Sequence, residues 1–286
     1  MVVFVIYGAH SLVGRRFVER LLRADCEILV PIGEESLLRE ENELALRMGK
    51  GTLQEIPTNF KSSAMSNKSG NTQSFRSIAF GEKVNCDSVD MQVVSNNNGE
   101  KQVRLAKTQV LMHDLLLPQP STYWGPQDIY SWLESLLSDS EIDYAYPTRY
   151  WLSIRDAIDG LFSLIALPEL PTGVIDMCGR RAWRPEEVIS ELSVLTRRTN
   201  HAIEGNDQAL FDAADLVPNS PLGQDSNLKT SSSHSSVSSG PTDPNLGRPD
   251  LTLLHSSLLQ SQPEGWRPLA PFRVSIMEII AHRLGK

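Results

Sequence analysis

The chain has 286 residues, of which 40% are hydrophobic and 22% charged, and its formal net charge is −8. This length allows one large core, or a large domain with a smaller one. The acidic balance argues against general nucleic-acid binding, which needs a basic surface. Three scattered cysteines show no pair or metal spacing and suit a reducing compartment. A strand-like run begins at Val2 and no apolar run reaches membrane-spanning length, so we expect a cytoplasmic protein without a cleavable signal or membrane anchor.

The opening of the chain predicts a strand, a glycine-bounded turn and a helix. An apolar, β-branched run occupies 2–6, Gly8 and Gly14 bound the turn, and residues 12–24 carry apolar side chains at helical spacing. In this context the backbone N–H groups and the positive end of a helix face a phosphate. Ser11 stands where dinucleotide-binding turns usually have a second glycine. An ordinary turn without a ligand therefore remains an open alternative.

Strands and helices then alternate along the chain. Strands are predicted at 27–30, 52–56, 91–94, 110–117 and 173–177, with 86–89 as an alternative fourth strand. Helices are predicted at 37–48, 100–107, 127–137, 155–167, 184–197 and 275–284. The polar stretch 57–74 and the Ser-rich stretch 218–244 predict flexible loops, because neither buries enough apolar surface to order itself. The alternation of strands and helices is typical of an α/β fold.

Several motifs resemble the extended short-chain dehydrogenases/reductases of the nucleotide-sugar epimerase and dehydratase type. The turn from Gly8 to Gly14 is similar to the first and third glycines of the family's signature. Downstream, the family's elements occur in order over 121–196 and 246–284. They are Thr122-Tyr123-Trp124-Gly125-Pro126 (with Trp124 inserted into a Tyr-Gly-Pro turn), 149–160, 173–179, 183–188, Arg248-Pro249-Asp250 and 264–268.

The resemblance implies a Rossmann-like doubly wound parallel sheet with a small C-terminal substrate-binding lobe. The nucleotide domain would span 1–172 and the lobe 173–286, the two being interleaved and the lobe carrying the insertion 218–244. It also implies NAD or NADP as cofactor and a nucleotide sugar or related small molecule as partner, with a homodimer left open. The implied cofactor-binding residues are Gly8, Ser11, Leu12, Val13, Gly14 and Arg15, and the implied substrate-binding residues are Arg248 and Asp250.

The family's chemistry uses a tyrosine, a lysine four residues later and an upstream serine or threonine. No tyrosine of this chain has a lysine four residues on. Lys107 is the candidate for the family lysine, which puts Val103 at the tyrosine position, and Ser95 is the candidate hydroxyl residue. Valine accepts no proton, so the usual mechanism cannot run from that position. The stretch 56–110 is also too short for the full set of strand–helix units, by about one unit.

Three hypotheses follow. The leading one is a degenerate, weakly active or inactive member of the family. The first rival is an active epimerase or reductase that uses Tyr123, His113 or Asp114 as acid/base, and the second is a non-catalytic scaffold or regulatory subunit. Cofactor choice also stays open. Glu34 or Glu35 could bind a ribose hydroxyl, whereas Arg15 and Arg16 would favour a 2′-phosphate.

Overall fold

The computed structural model describes residues 2–24, 26–56, 75–81, 86, 88–96, 104–203 and 248–285. The predicted loops at 57–74 and 218–244, and Val103, lie outside the described residues. Of the helices within these ranges, none is both long enough and apolar enough to cross a membrane.

Seven parallel strands form the central sheet, in the order β3-β2-β1-β4-β5-β6-β9. Their bounds are β1 Val2–Tyr7, β2 Cys26–Val30, β3 Thr52–Glu55, β4 Phe75–Phe80, β5 Val89–Ser95, β6 Ala106–Met112 and β9 Gly173–Met177. A separate two-stranded sheet pairs β7 (Leu115–Leu116) with β8 (Leu152–Ser153). The first strand lies inside the seven-stranded sheet, parallel to β2 on one side and β4 on the other. This order, reversing next to β1, is that of the doubly wound Rossmann fold, and the predicted fold class is confirmed.

Eight helices are described; some pack on one face of the sheet and the others pack against one another. They are α1 Leu12–Leu22, α2 Glu35–Glu41, α3 Glu43–Met48, α4 Asp128–Leu137, α5 Ile154–Ile165, α6 Pro185–Ile203, α7 Thr252–Leu258 and α8 Phe272–Leu284. The largest apolar cluster joins one face of the sheet to α1, α5 and α7 through side chains such as Phe17, Leu161 and Leu254. Burial of these side chains fixes the first helix against the strand it follows.

A second apolar cluster lies between α4, α6 and α8 and forms a smaller lobe. Trp132, Leu192 and Ile279 are among its buried members. The helix α4 belongs to this lobe although it precedes position 173, the predicted start of the lobe. Conversely, β9 begins at Gly173 and pairs with β6 in the main sheet. The two parts of the molecule are thus interleaved along the chain.

The segment from 75 to 112 differs from the sequence prediction. The helix predicted over 100–107 is wrong at its C-terminal end, because Ala106 and Lys107 begin β6 and Ala106 pairs with Val89. The strand β4 was not predicted, and the alternative fourth strand at 86–89 is wrong because β5 begins at Val89. Pairing with neighbouring strands overrides weak local propensity in short polar segments of this kind.

The connections from β4 to β5 and from β5 to β6 are unusually short. They comprise residues 81–88 and 96–105, eight and ten residues. A crossover between parallel strands normally takes a dozen or more residues, usually including a helix. The shortfall predicted from chain length therefore falls on these two connections.

Candidate functional site

The carboxyl ends of the parallel strands meet at one edge of the sheet, and this edge carries the candidate site. In open α/β sheets ligands bind outside this edge, where the strand order reverses. Here the reversal lies between β1 and β4. The glycine turn follows β1 at that point, and a polar cleft lies farther along the same edge, beyond β5 and β6.

Neighbouring backbone lies so close to the turn at two positions that only glycine fits at each. Gly8 has φ +70°, and a Cβ there would lie 2.4 Å from the carbonyl oxygen of Phe80 in β4. At Gly14, in the first turn of α1, a Cβ would lie 2.5 Å from the carbonyl oxygen of Gly8. The first glycine therefore lets the chain turn beside β4, and the second lets α1 begin directly against the turn.

Ser11 serves as the N-cap of α1. Its backbone is extended, with φ −67° and ψ 156°, and its hydroxyl oxygen accepts a hydrogen bond of 3.1 Å from the Gly14 N–H. The first N–H groups of a helix have no partner within the helix and are the donors that bind phosphate. The helix begins at Leu12, and the buried Val13 anchors it to the core. The turn thus fits a phosphate group, with one donor taken by Ser11.

Charged side chains beside the turn form a connected set. The Nε of Arg15 donates to the carbonyl oxygen of His10 at 2.8 Å, and its guanidinium pairs with Glu41. His10 Nδ1 lies 3.2 Å from Glu34 Oε1. The other oxygen of Glu34, Oε2, is buried and has no hydrogen-bond partner among the described residues. A buried carboxylate oxygen without a donor suits a ligand hydroxyl.

A polar cleft of about 520 Å³ lies at the ends of β5 and β6. Six of the side chains that line it carry its chemistry: Asn96, His113, Asp114, Thr122, Asp128 and Arg149. Their amide, imidazole, carboxylate, hydroxyl and guanidinium groups match the hydrogen-bonding groups of a polyhydroxylated ligand. Among the residues that the structure describes, no group of His, Cys, Asp and Glu side chains is arranged to hold a metal ion.

Arg149 ties two carboxylates at the base of the polar cleft. Its guanidinium donates to Asp128 at 2.8 Å and to Asp114 at 3.2 Å. Asp114 has φ +47°, and its second oxygen accepts the backbone N–H of Tyr150 at 2.7 Å. Burial raises the pKa of Asp114, and this hydrogen bond and the charge of Arg149 oppose the increase. One oxygen of Asp114 accepts a backbone N–H, which a ligand cannot displace without moving the chain, and the other faces Arg149; this argues against Asp114 as the acid/base.

His113, immediately after β6, is held from both sides. Its Nε2 lies 2.7 Å from Asp176 Oδ1 in β9, and its Nδ1 lies 3.0 Å from Asn96 Nδ2, just past the end of β5. The side chain is 14% exposed and lines the polar cleft. These three side chains come from three neighbouring strands, at or near their carboxyl ends.

The structure does not bring the three predicted catalytic residues together. Ser95 is the buried last residue of β5. Lys107 lies near the start of β6, at the end of the strand opposite to the site, and six residue steps along the strand separate it from His113 by roughly 20 Å. Tyr123 packs on the main core, with its ring edge-on to Trp124 at 4.8 Å. The prediction that Lys107 occupies a helix beside the cofactor is therefore wrong.

The predicted substrate-binding pair lies on the exposed segment before α7. Asp250 accepts the backbone N–H of Thr252 at 2.9 Å; hydrogen bonding with the Thr252 side chain, and then with this N–H, lowers the pKa of the Asp250 carboxyl. Arg248 is exposed, whereas Pro249 between them lines the polar cleft. The segment thus reaches the cleft, with Asp250 engaged in starting the helix.

Two members of the His113 group had no distinctive signal in the sequence. Asn96 follows a short strand within a run of asparagines, and Asp176 lies inside a strand that resembles a family element. Only the register of β5, β6 and β9 brings them to His113. The one guide to these residues in the sequence was the rule that ligands bind at the carboxyl ends of adjacent parallel strands.

Comparison with known proteins gives structural likeness only. No family model matches the chain, and no curated protein matches it. Similar solved structures include the enzyme WbmG of Bordetella bronchiseptica in complex with NAD and UDP, at 10% identity over 99% of this chain and 94% of that one, with a TM-score of 0.46.

Two further similar structures are enzymes named for nucleotide sugars. UDP-glucuronic acid 4-epimerase of Bacillus cereus, in complex with NAD, has 14% identity over 72% of this chain and 84% of that one, with a TM-score of 0.39. The dTDP-glucose 4,6-dehydratase of Bacillus anthracis, also in complex with NAD, has 9% identity over 68% of this chain and 81% of that one, with a TM-score of 0.39. These similarities are of the type that the sequence motifs predicted, and the strand order of the sheet, not the scores, establishes the Rossmann-like fold.

Proposed function

We propose that this protein binds NAD at the turn between β1 and α1 and a nucleotide-linked sugar, or a related small molecule, in the polar cleft. The observation that carries the proposal is the turn itself. Gly8 and Gly14 allow the backbone to fold tightly against β4, and α1 directs its positive end at the ligand-binding edge of the sheet. The cofactor, when bound, supplies a hydride acceptor, and the residues of this chain bind and orient it.

Glu34 supports NAD over NADP. A carboxylate accepts hydrogen bonds from a ribose 2′-hydroxyl and repels a 2′-phosphate. One oxygen of Glu34 is buried beside the turn and has no partner among the described residues. Arg15, the cation that would favour a 2′-phosphate, is already held by Glu41 and by the His10 carbonyl.

The lining of the polar cleft supports a sugar as the second ligand. Amide, hydroxyl, carboxylate and imidazole groups converge there, and the less polar part of the lining among the described residues is Gly125, Pro126, Pro147, Tyr150 and Pro249. Such groups bind hydroxyls by directed hydrogen bonds. Solved structures similar in fold include proteins in complex with UDP-glucose or UDP-glucuronic acid together with NAD.

We assign no role here to the family's usual proton-transfer pair, a tyrosine and a lysine four residues later. The ten-residue connection from β5 to β6 is shorter than a helical crossover needs and contains no tyrosine. We therefore propose a degenerate member of the family, in which any turnover depends on other residues.

Calorimetric titration with NAD and NADP tests the cofactor. We expect Glu34→Gln to weaken NAD binding by about 5- to 10-fold, the difference between a charge-assisted and a neutral hydrogen bond, and to narrow the preference for NAD over NADP. Glu35→Gln is the matched control, because Glu35 pairs with Arg39 on the surface of α2. Failure to bind either nucleotide at millimolar concentration would overturn the proposal.

Ser11→Gly tests the phosphate site separately. The substitution removes the hydroxyl that occupies the Gly14 N–H, and with it the Cβ at the turn. Loss of this cap to glycine costs only a few tenths of a kcal/mol. We expect NAD to bind several-fold more tightly, since the N–H becomes available to a phosphate oxygen. Unchanged or weaker binding would mean that the hydroxyl is accommodated or itself contacts the phosphate.

A further inference from the structure

We infer that His113, held by Asp176 and Asn96, is the proton acceptor for a substrate hydroxyl in the polar cleft. The inference rests on the proposed function, because the hydride that leaves the same carbon needs the nicotinamide acceptor. It assigns the missing acid/base to the ends of the strands, in place of a tyrosine on a crossover helix.

The register of the sheet brings the three side chains together. Ser95 pairs with Met112, so the next residues, Asn96 and His113, leave β5 and β6 side by side. Met112 pairs with Met177, which places Asp176 on the other side of His113. The ring is therefore fixed by two neighbouring strands, as an imidazole must be to act at one atom.

The hydrogen bonds define which ring nitrogen is basic. Asp176 is an acceptor when ionised, so its 2.7 Å contact places the proton on Nε2 of His113. The side-chain nitrogen of Asn96 is a donor, so the 3.0 Å contact leaves the lone pair on Nδ1. The orientation of a histidine by a carboxylate on one nitrogen, with the other nitrogen reacting, is a general arrangement in catalysis.

The proposed step is a proton transfer. A substrate hydroxyl takes the place of the Asn96 amide as donor to Nδ1. Its O–H bond then breaks, the proton passes to Nδ1, and the electron pair stays on the oxygen to form the carbonyl as hydride leaves the carbon. The imidazolium charge lies beside Asp176, and the other charges that face it are Asp114 and its partner Arg149. A neighbouring carboxylate stabilises the protonated ring.

The position of His113 also suits a dinucleotide whose phosphates bind at the turn. The strand β6 is three positions from β1 in the sheet, which corresponds to about 14 Å at the usual strand spacing. This span is comparable with the reach of a nucleotide from its pyrophosphate. Lys107, at the opposite end of the strand, lies outside any such arrangement.

Nitrogen-15 NMR of histidine-labelled protein tests the inference without turnover. We expect the ring of His113, assigned by loss of its signals in His113→Gln, to carry its proton on Nε2. Asp176→Asn should remove this preference, because an amide nitrogen can donate to Nε2 in its place. A neutral ring with the proton on Nδ1 in the wild type would overturn the inference, since that nitrogen could then accept nothing.

Formation of NADH, followed at 340 nm with NAD and either UDP-glucose or UDP-glucuronic acid, provides the kinetic test. We expect His113→Gln to lower kcat by about 10²- to 10⁴-fold while NAD affinity by calorimetry stays unchanged. Asp176, as a positioning residue, should affect kcat more than KM when changed to Asn. His255→Gln is the matched control, because the exposed His255 only accepts the Trp266 N–H near α7.

The two tests separate the inference from the proposed function. If the wild type binds no NAD, the proposed function and the inference that rests on it both fail, whichever ring nitrogen of His113 carries the proton. If the wild type binds NAD and His113→Gln reacts at the wild-type rate, the proposed function survives and the inference is overturned. Bound NAD with no NADH formed from either sugar would also count against the inference and favour a non-catalytic protein.

Discussion

Gly8→Ala tests whether the nucleotide turn is built by close approach to β4. Gly8 has φ +70°, where an L side chain costs about 1–2 kcal/mol. The new Cβ would also lie 2.4 Å from the carbonyl oxygen of Phe80, and relief of such overpacking typically costs about 1–3 kcal/mol. We therefore expect the free energy of unfolding to fall by about 2–5 kcal/mol, a large part of the 5–15 kcal/mol of a typical domain.

Two other glycines separate the components of this cost. Gly33 has φ +89° and no atom within 4 Å of its Cβ position, so Gly33→Ala should show only the conformational cost of about 1–2 kcal/mol. Gly14 is helical, so Gly14→Ala gains about 1 kcal/mol of helix propensity and loses through the 2.5 Å contact with the Gly8 carbonyl oxygen. Its net effect, after the propensity gain of about 1 kcal/mol is subtracted, measures overpacking.

Urea unfolding followed by tryptophan fluorescence gives these free energies. The midpoint and slope should be fitted for each variant, because a change in slope would report a change in compactness rather than stability. NAD titration of the folded variants then relates the turn to the cofactor. The reasoning is refuted if Gly8→Ala costs no more than Gly33→Ala, because the turn would then have room beside β4.

Three further predictions concern the cleft and the thiols. Iodoacetamide at about pH 8 should label Cys86 and spare Cys178, because burial excludes the reagent from Cys178 and raises the pKa of its thiol to about 12. Mass spectrometry that finds Cys178 labelled first would contradict this prediction. Arg149→Met should lower the unfolding free energy measured in urea by about 3 kcal/mol, because Asp114 and Asp128 lose their cation. This is the low end of the cost of breaking a buried ion pair, since the Arg149 side chain is 23% exposed. An unchanged urea midpoint would contradict the prediction. The pKa of Asp114 is raised from 3.8 in the folded state, so its contribution to stability should fall as pH rises from 3.8 through the folded pKa. Over that pH range the unfolding free energy of the wild type should decline relative to that of Asp114→Asn. A difference in unfolding free energy that instead grows in favour of the wild type would refute the raised pKa.

The sequence predicted those parts of the fold that have strong local patterns. The strand and helix around Gly8 combine an apolar β-branched run with helical spacing, and the structure has both, with β1 inside a parallel sheet. The amphipathic helices α4 and α5 were predicted within two residues at each end. In these elements local propensity and tertiary packing agree, so the pattern alone is sufficient.

The middle of the sheet was harder to predict because its strands are polar. In β4 and β5, Ser77 and Asp90 face each other across the strands, and the Ser77 hydroxyl donates to the Asp90 carboxylate at 2.9 Å. In β6 the alternation of Lys107 with Ala106 and Thr108 resembles neither a buried strand nor a clear helix. Such segments become strands through their neighbours, which the sequence does not show.

The candidate site, like the fold, has a part that the sequence predicts and a part that it does not. The turn residues Gly8, Ser11 and Gly14 follow from local sequence, and the structure gives each a physical role. His113 was one of several alternatives in the sequence, and nothing there connected it to Asn96 or to a residue more than sixty positions later. Strand register alone creates that contact, so the sequence predicts the binding edge better than the chemistry on it.

The short connections in the middle of the sheet support the proposal that the tyrosine and lysine of the resembled family are missing here. Strands covered by helices on both faces are usually apolar on both, but the face of β5 and β6 opposite α1 carries Gln92 and Gln109. Their side chains bond to each other at 3.3 Å, and Gln92 also accepts the Leu105 N–H at 3.0 Å. The sheet thus satisfies polar groups internally where a crossover helix would supply apolar cover. The ten-residue connection from β5 to β6 is shorter than a helical crossover needs, so in our proposal the proton acceptor comes from the strand ends, where His113 lies.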